Sequence, residues 1–167
     1  MIGFLVLLVG FVTSFSHPTT SWADASYEES LKQLAEGVTE GAAKAKKQRL
    51  AFLDFTDSQG EPTPIGRFLA EELGTQIMVA GVLTVVDRIL THSTLKKLHV
   101  DQVDSAHAKT VRRAAKAIRA DVFVGGVIME MPDGLWITVR LINPSNGQPI
   151  SATRGMLPKA RPSERVL

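Results

Sequence analysis

Two groups of side chains in this sequence have types and spacings that could do chemistry. The first is acidic. Asp54 and Asp57 fall at and just past the end of the apolar run RLAFLDF, residues 49–55, and Asp87 follows the run LTVV, residues 83–86, with Arg88 directly behind it. If both runs are parallel strands, these four residues gather at the strands' carboxyl ends, where open α/β sheets hold their ligands. Three carboxylates and an arginine there suit a divalent cation or a small polar ligand. Each also has a structural use: Asp54 can end a strand, Asp87 can cap the helix that follows, and Arg88 can neutralise either.

The second group is basic. In the stretch 105–119, Lys109, Arg112, Arg113, Lys116 and Arg119 recur so that, at about 100° per residue, all five fall within an arc of about 120°. Val111, Ala115 and Ile118 lie opposite, and no acid interrupts the set. Like charges so placed repel one another, and a counter-anion relieves the repulsion. Lipid phosphates or an acidic protein surface would serve; a plain solvated helix face is the alternative. The stripe has no interleaved aromatic residues on which bases could stack, so nucleic acid is not expected.

Other chemistries find no support. His17, His92, His99 and His107 lack the four-residue spacing and glutamate partner of a two-histidine metal helix, although His92 and His99, seven apart, would share one face of a continuous helix. No cysteine is present, which removes thiolate sites, disulfides and a lipidated cysteine anchor. No phosphate loop or nucleophile elbow occurs. Gly125-Gly126 sits inside an apolar run, where it permits close packing or a bulge. No catalytic residue, metal or cofactor is therefore expected.

The elements that must position these residues follow from periodicity. Residues 26–47 read as a helix with a thin stripe of Leu31, Leu34 and Val38, weakened by Gly37 and Gly41, and so placed on the domain surface. Residues 49–55 read as a central strand, with Leu50 and Phe52 on one face and Ala51, Leu53 and Phe55 on the other. Thr63 and Pro64 open a helix whose stripe is Ile65, Phe68, Leu69, Leu73 and Ile77, and Gly81 closes it. Residues 83–86 form a second strand, parallel to the first by the right-handed crossover rule. A helix over 87–98 turns Leu90, Leu95 and Leu98 inward. Asp104 or Ser105 then caps the basic helix. Residues 121–131, 135–142 and 148–157 form a meander, its first turn marked by Pro132-Asp133-Gly134. The expected fold is α/β in a mixed α+β sense: a three-layer-like domain with about five strands, a βαβ unit followed by helices and an antiparallel meander.

At 167 residues, with 44% hydrophobic and 22% charged residues, the chain suits one globular domain. A net charge of +2 is too small to define a partner by itself. The first twelve residues are free of charge and match the apolar region of a secretory leader; they are short for a membrane span. Small residues allow cleavage after Ala23 or Ala25, and an uncleaved tether to the inner membrane is the rival. The expected organisation is a signal peptide at 1–25, a helix at 26–48, the α/β domain at 49–157 and a disordered basic tail at 158–167.

Four segments taken together resemble the FlgO domain and its CsgG- and TolB-N-terminal-like relatives. They are RLAFLDFTDSQGEPTPIGRFLAEELGTQI at 49–77, LTVVDR at 83–88, AAKAIRADVFVGGVI at 114–128 and WITVRLINPSNGQPI at 136–150. The resemblance spans about residues 49–155 and implies an envelope protein that works through contacts. FlgO-like proteins are associated with the outer membrane around flagella, CsgG forms a secretion channel, and a similar domain occurs in lipoprotein activators of peptidoglycan synthases. This chain departs from them in lacking the lipidated cysteine and the length for membrane-spanning hairpins. The leading expectation is thus a non-enzymatic exported module, periplasmic or peripheral to the outer membrane, that assists an envelope assembly, flagellar or other. Its partners would be envelope proteins or an anionic membrane surface, met through the basic helix or a sheet edge. The alternative is a periplasmic ligand- or cation-binding domain built on Asp54, Asp57, Asp87 and Arg88.

Overall fold

A computed structural model describes residues 22–158; the expected signal peptide, apart from 22–25, and the expected tail, apart from Pro158, lie outside the described residues. The elements run α1 (Trp22–Lys44), β1 (Arg49–Phe52), α2 (Pro64–Ala80), β2 (Thr84–Val86), α3 (Arg88–Lys97), α4 (Ala108–Ile118), β3 (Val122–Met131), β4 (Gly134–Asn143) and β5 (Gln148–Pro158). The five strands form one sheet in the order β2-β1-β3-β4-β5. β1 pairs in parallel with both β2 and β3, while β3, β4 and β5 form the antiparallel meander. The mixed α/β architecture is the one the sequence pattern implies. Among the described residues, no helix is long and apolar enough to cross a membrane.

Helices cover both faces of the sheet. On one face, α1 and α2 close a core that includes Leu31, Leu34, Leu69, Leu73, Leu50, Phe52, Val124 and Ile137. On the other, α3 and α4 pack Leu95, Val111, Ala115 and Ile118 against Ala51, Val86 and Phe123. α1 is therefore a core element and not a surface helix. Gly37 and Gly41 let it settle on Thr153 and Ser151 of β5, because a Cβ at either glycine would run into those side chains.

The start of α2 follows its sequence signals. Thr63 Oγ1 accepts the Gly66 N–H at 3.0 Å, Pro64 occupies the first turn, and Gly81 ends the helix with φ +70. Its buried stripe, however, is Gly66, Leu69, Ala70, Leu73, Gly74 and Ile77; Ile65 and Phe68 face solvent, Phe68 at 52% exposure. The small residues bring the helix close enough to the sheet that bulky ones are displaced to its flank. In α3, Leu95 is buried, but Thr91 takes the inward place expected of Leu90, which is 47% exposed. Thr91 enters the core because its hydroxyl donates to the Asp87 carbonyl at 2.9 Å, one turn back.

Phe55 also changes sides. It belongs to the core with Leu50 and Phe52, not with Ala51 and Leu53. β1 ends at Phe52, and the chain beyond it carries one extra residue against β3. Leu53 N bonds Val124 O and Thr56 N bonds Gly126 O, so three steps on one strand match two on the other. Such an irregularity reverses the alternation.

Candidate functional site

The carboxyl ends of β1 and β2 bring together only part of the acidic group. Arg88, the first residue of α3, places Nη2 2.5 Å from Asp54 Oδ1 and Nε 3.2 Å from Glu71 Oε2 of α2. Its Nη1 donates to the Arg67 carbonyl at 3.3 Å. His92, one turn along α3, lies 3.3 Å from the same Asp54 oxygen. Asp54 and Arg88 side chains are each 17% exposed, so this is a largely desolvated ion pair.

Asp57 and Asp87 serve local structure. Asp57 Oδ1 accepts the N–H groups of Gln59 and Glu61, both at 2.9 Å, and holds the loop after β1. Asp87 Oδ1 accepts Leu90 N–H at 2.8 Å and caps α3. The expected set of four therefore does not converge. Glu71 and His92 take the vacant places. His92 was legible as a residue one turn beyond Arg88, whereas Glu71 had no signal beyond lying on the polar face of α2.

An open depression of about 630 Å³ adjoins this cluster, lined by Glu71, Asp87, Arg88, Ile89, His92, Ser93 and Lys96. Its chemistry is limited. Each arm of the Arg88 guanidinium is already engaged by a carboxylate or a carbonyl, and the positive charge between Asp54 and Glu71 opposes a cation. The Ser93 hydroxyl donates to Leu90 O at 3.1 Å, as a helical serine does. Among the described residues, no group of three His, Asp or Glu is placed to hold a metal ion. His99 cannot join His92 on one helix face, because α3 ends at Lys97 and His99 takes φ 51 beyond it.

The basic helix has a different character. α4 buries Val111, Ala114, Ala115 and Ile118 and leaves Lys109, Arg112, Arg113 and Lys116 exposed on the opposite side. Among the described residues, none of these four cations makes an ion pair, and α4 contains no acid. Arg119 leaves the stripe: the helix has ended, and Arg119 takes φ 56 while its carbonyl accepts Arg49 Nε at 2.7 Å. The stripe is thus four residues within about 100°.

The approach to α4 also differs from the sequence pattern. His107 occupies the N-cap position with no side-chain cap, and neither Asp104 nor Ser105 fills it. Asp104 instead braces the preceding turn, accepting His107 N at 3.0 Å and His107 Nδ1 at 2.9 Å. These bonds to His107 hold the Asp104 carboxyl below its ordinary pKa. α4 has no side-chain cap from His107 and no acid in its first turn, and the Asp104 carboxylate on the His107 N–H is the negative charge at its positive dipole end.

Comparisons with known proteins agree with this fold. The LpoB C-terminal domain from Salmonella enterica superposes with a TM-score of 0.58 at 12% identity, covering 80% of this chain and 98% of that one. The NMR structure of E. coli LpoB gives a TM-score of 0.59 at 10% identity, covering 93% of this chain and 82% of that one. At such identities the likeness is one of fold. Comparison with curated protein sequences yields no significant match. The FlgO protein family model matches residues 31–161, spanning α1 to the end of β5. The chain therefore belongs to the FlgO family of envelope proteins.

Proposed function

We propose that this protein is a non-enzymatic, exported interaction module that assists the assembly or operation of a bacterial envelope structure. The flagellar, outer-membrane-associated setting implied by its family is the preferred context. The observation that carries the reading is α4: four exposed cations on one face, no acid in the helix, and no ion pair among the described residues. A face whose own charges repel and go unneutralised is suited to an anionic partner surface. Membership of the FlgO family supports the envelope setting. The carboxyl-end cluster is the weaker basis for a function, since each nitrogen of Arg88 already has a partner in Asp54, Glu71 or the Arg67 carbonyl.

The partner surface is an acidic envelope protein. Replacing Arg112, Arg113 and Lys116 with Gln tests this. Immobilised parent protein retains envelope proteins at low salt and releases them as salt rises, while the triple variant retains none. Sedimentation with anionic phosphatidylglycerol vesicles is the second arm: binding there, with no protein retained, assigns the stripe to membrane instead. Equal behaviour of parent and variant in both arms contradicts any role for α4.

A further inference from the structure

Among the described residues, half of one sheet face has no helix above it. α3 and α4 cover β2, β1, the start of β3 and the paired end of β4 at Ile142, but the cluster they build takes in no other side chain from that side of β3, β4 and β5. The strand registers define what they form. Met129, Trp136 and Met156 stand opposite one another in a single cross-strand row. Met129 and Trp136 are 45% and 36% exposed. Beside this apolar row lie Arg140, opposite Ala152, and Arg154, opposite Thr138. The two arginines are diagonal neighbours, about 7–8 Å apart by sheet geometry.

The charge of this ledge is one-sided. Among the described residues neither Arg140 nor Arg154 makes an ion pair; the contact of Arg154 is a 3.4 Å hydrogen bond from Nε to Thr138 Oγ1. Within β3, β4 and β5 the one carboxylate is Glu130, and the alternation puts it on the opposite face with Ile128. α4, which packs with Phe123 at the start of β3, carries no acid. Three strands at about 4.8 Å spacing offer a floor about 10–14 Å wide, which takes one helix of about 10–12 Å diameter.

We propose that this ledge docks an acidic amphipathic helix from a partner protein, completing the third layer beside α4. Apolar residues at three- and four-residue spacing would cover Met129, Trp136 and Met156, and carboxylates on its flank would pair with Arg140 and Arg154. A flat bilayer is the poorer fit, since α4 packs on the same face of the sheet and a layer about 10 Å thick stands beside the floor. The chain's own residues 159–167 carry Lys159, Arg161 and Arg165 against Glu164, the wrong sign for this floor. The inference rests on the reading of the protein as an interaction module, but on a surface separate from the outward stripe of α4.

The test is a photo-crosslinker, p-benzoylphenylalanine, at exposed Ala152 of the full-length chain, irradiated in cells that make it, with the adduct mapped by mass spectrometry. The adduct is expected on an acidic segment with helical apolar spacing in another protein. Arg140→Glu with Arg154→Glu should lower its yield at least tenfold. Arg140→Gln with Arg154→Gln should lower it less, and an unchanged thermal melt shows that either pair has left the fold intact. The triple Gln variant of α4 should leave it in place. An adduct to lipid, to this chain itself or to a segment without excess acid overturns the proposal. So does the absence of any adduct, an adduct insensitive to charge reversal, or one lost with the α4 variant.

Discussion

Phe55 and Gly126 show how single residues shape this molecule. The Phe55 ring is buried directly over Gly126, where a Cβ would sit 2.6 Å from Cγ of the ring. Gly126→Ala is expected to lower stability by about 1–3 kcal/mol through overpacking, seen as a lower urea midpoint with an unchanged slope. The glycine pair was legible as a packing device. The side taken by Phe55 was not, because strict alternation does not anticipate the extra residue after Phe52. A second residue-scale expectation concerns Asp104, whose carboxyl is held low by its bonds to His107. A depressed folded-state pKa adds stability above the ordinary Asp value of 3.8, and that contribution disappears as pH falls through the folded value. Asp104→Asn should therefore melt below the parent above the ordinary Asp value of 3.8, with the gap closing as pH falls through the folded value. A gap that persists or widens at low pH contradicts this.

At the scale of elements, α1 departs furthest from its sequence pattern. Gly37 and Gly41 read as weak points of a surface helix, since glycine costs about 1 kcal/mol in a helix interior. In the fold they are what allows α1 to approach β5, with a Cβ at Gly37 meeting Thr153 Cγ2 at 2.5 Å. Gly37→Ala should destabilise despite its better helix propensity. Gly37→Ala with Thr153→Ala should fall short of the sum of the single effects, and a double-mutant cycle by urea unfolding measures the coupling. Additive losses would show that the contact does not limit the approach. α2 was legible at both ends, because Thr63, Pro64 and Gly81 each act locally. Of its stripe, Leu69, Leu73 and Ile77 were legible too, but not the exposure of Ile65 and Phe68, because Gly66 and Gly74 set the contact face and left them outside. α4 was legible because a four-residue cationic stripe needs only helical geometry to be predicted, and Arg119 fell away where that geometry ended.

Across the whole molecule, the βαβ unit and meander could be read because the joint after α2 and the meander turns are two to four residues long and the turn residues are local signals. The strand order puts β3 on the far side of β1 from β2, so α3 and α4 both cross the same face. Neither the ion-pair cluster of Asp54, Glu71, Arg88 and His92 nor the uncovered half of the sheet has a local signature. Both depend on which elements the crossover brings together and which it leaves apart. The cationic face of α4 is the surface through which the protein is proposed to act. The most direct test of that role replaces the cell's own copy with the Arg112→Gln, Arg113→Gln, Lys116→Gln variant and compares envelope complexes, crosslinked in living cells, with those of the parent and of a deletion strain. The variant should be as abundant as the parent and melt no lower, since like-charge repulsion has been removed, yet lose the complexes made through the α4 face as completely as the deletion does, while the adduct at Ala152 persists. Parent-like complexes from a folded, abundant variant would contradict the claim.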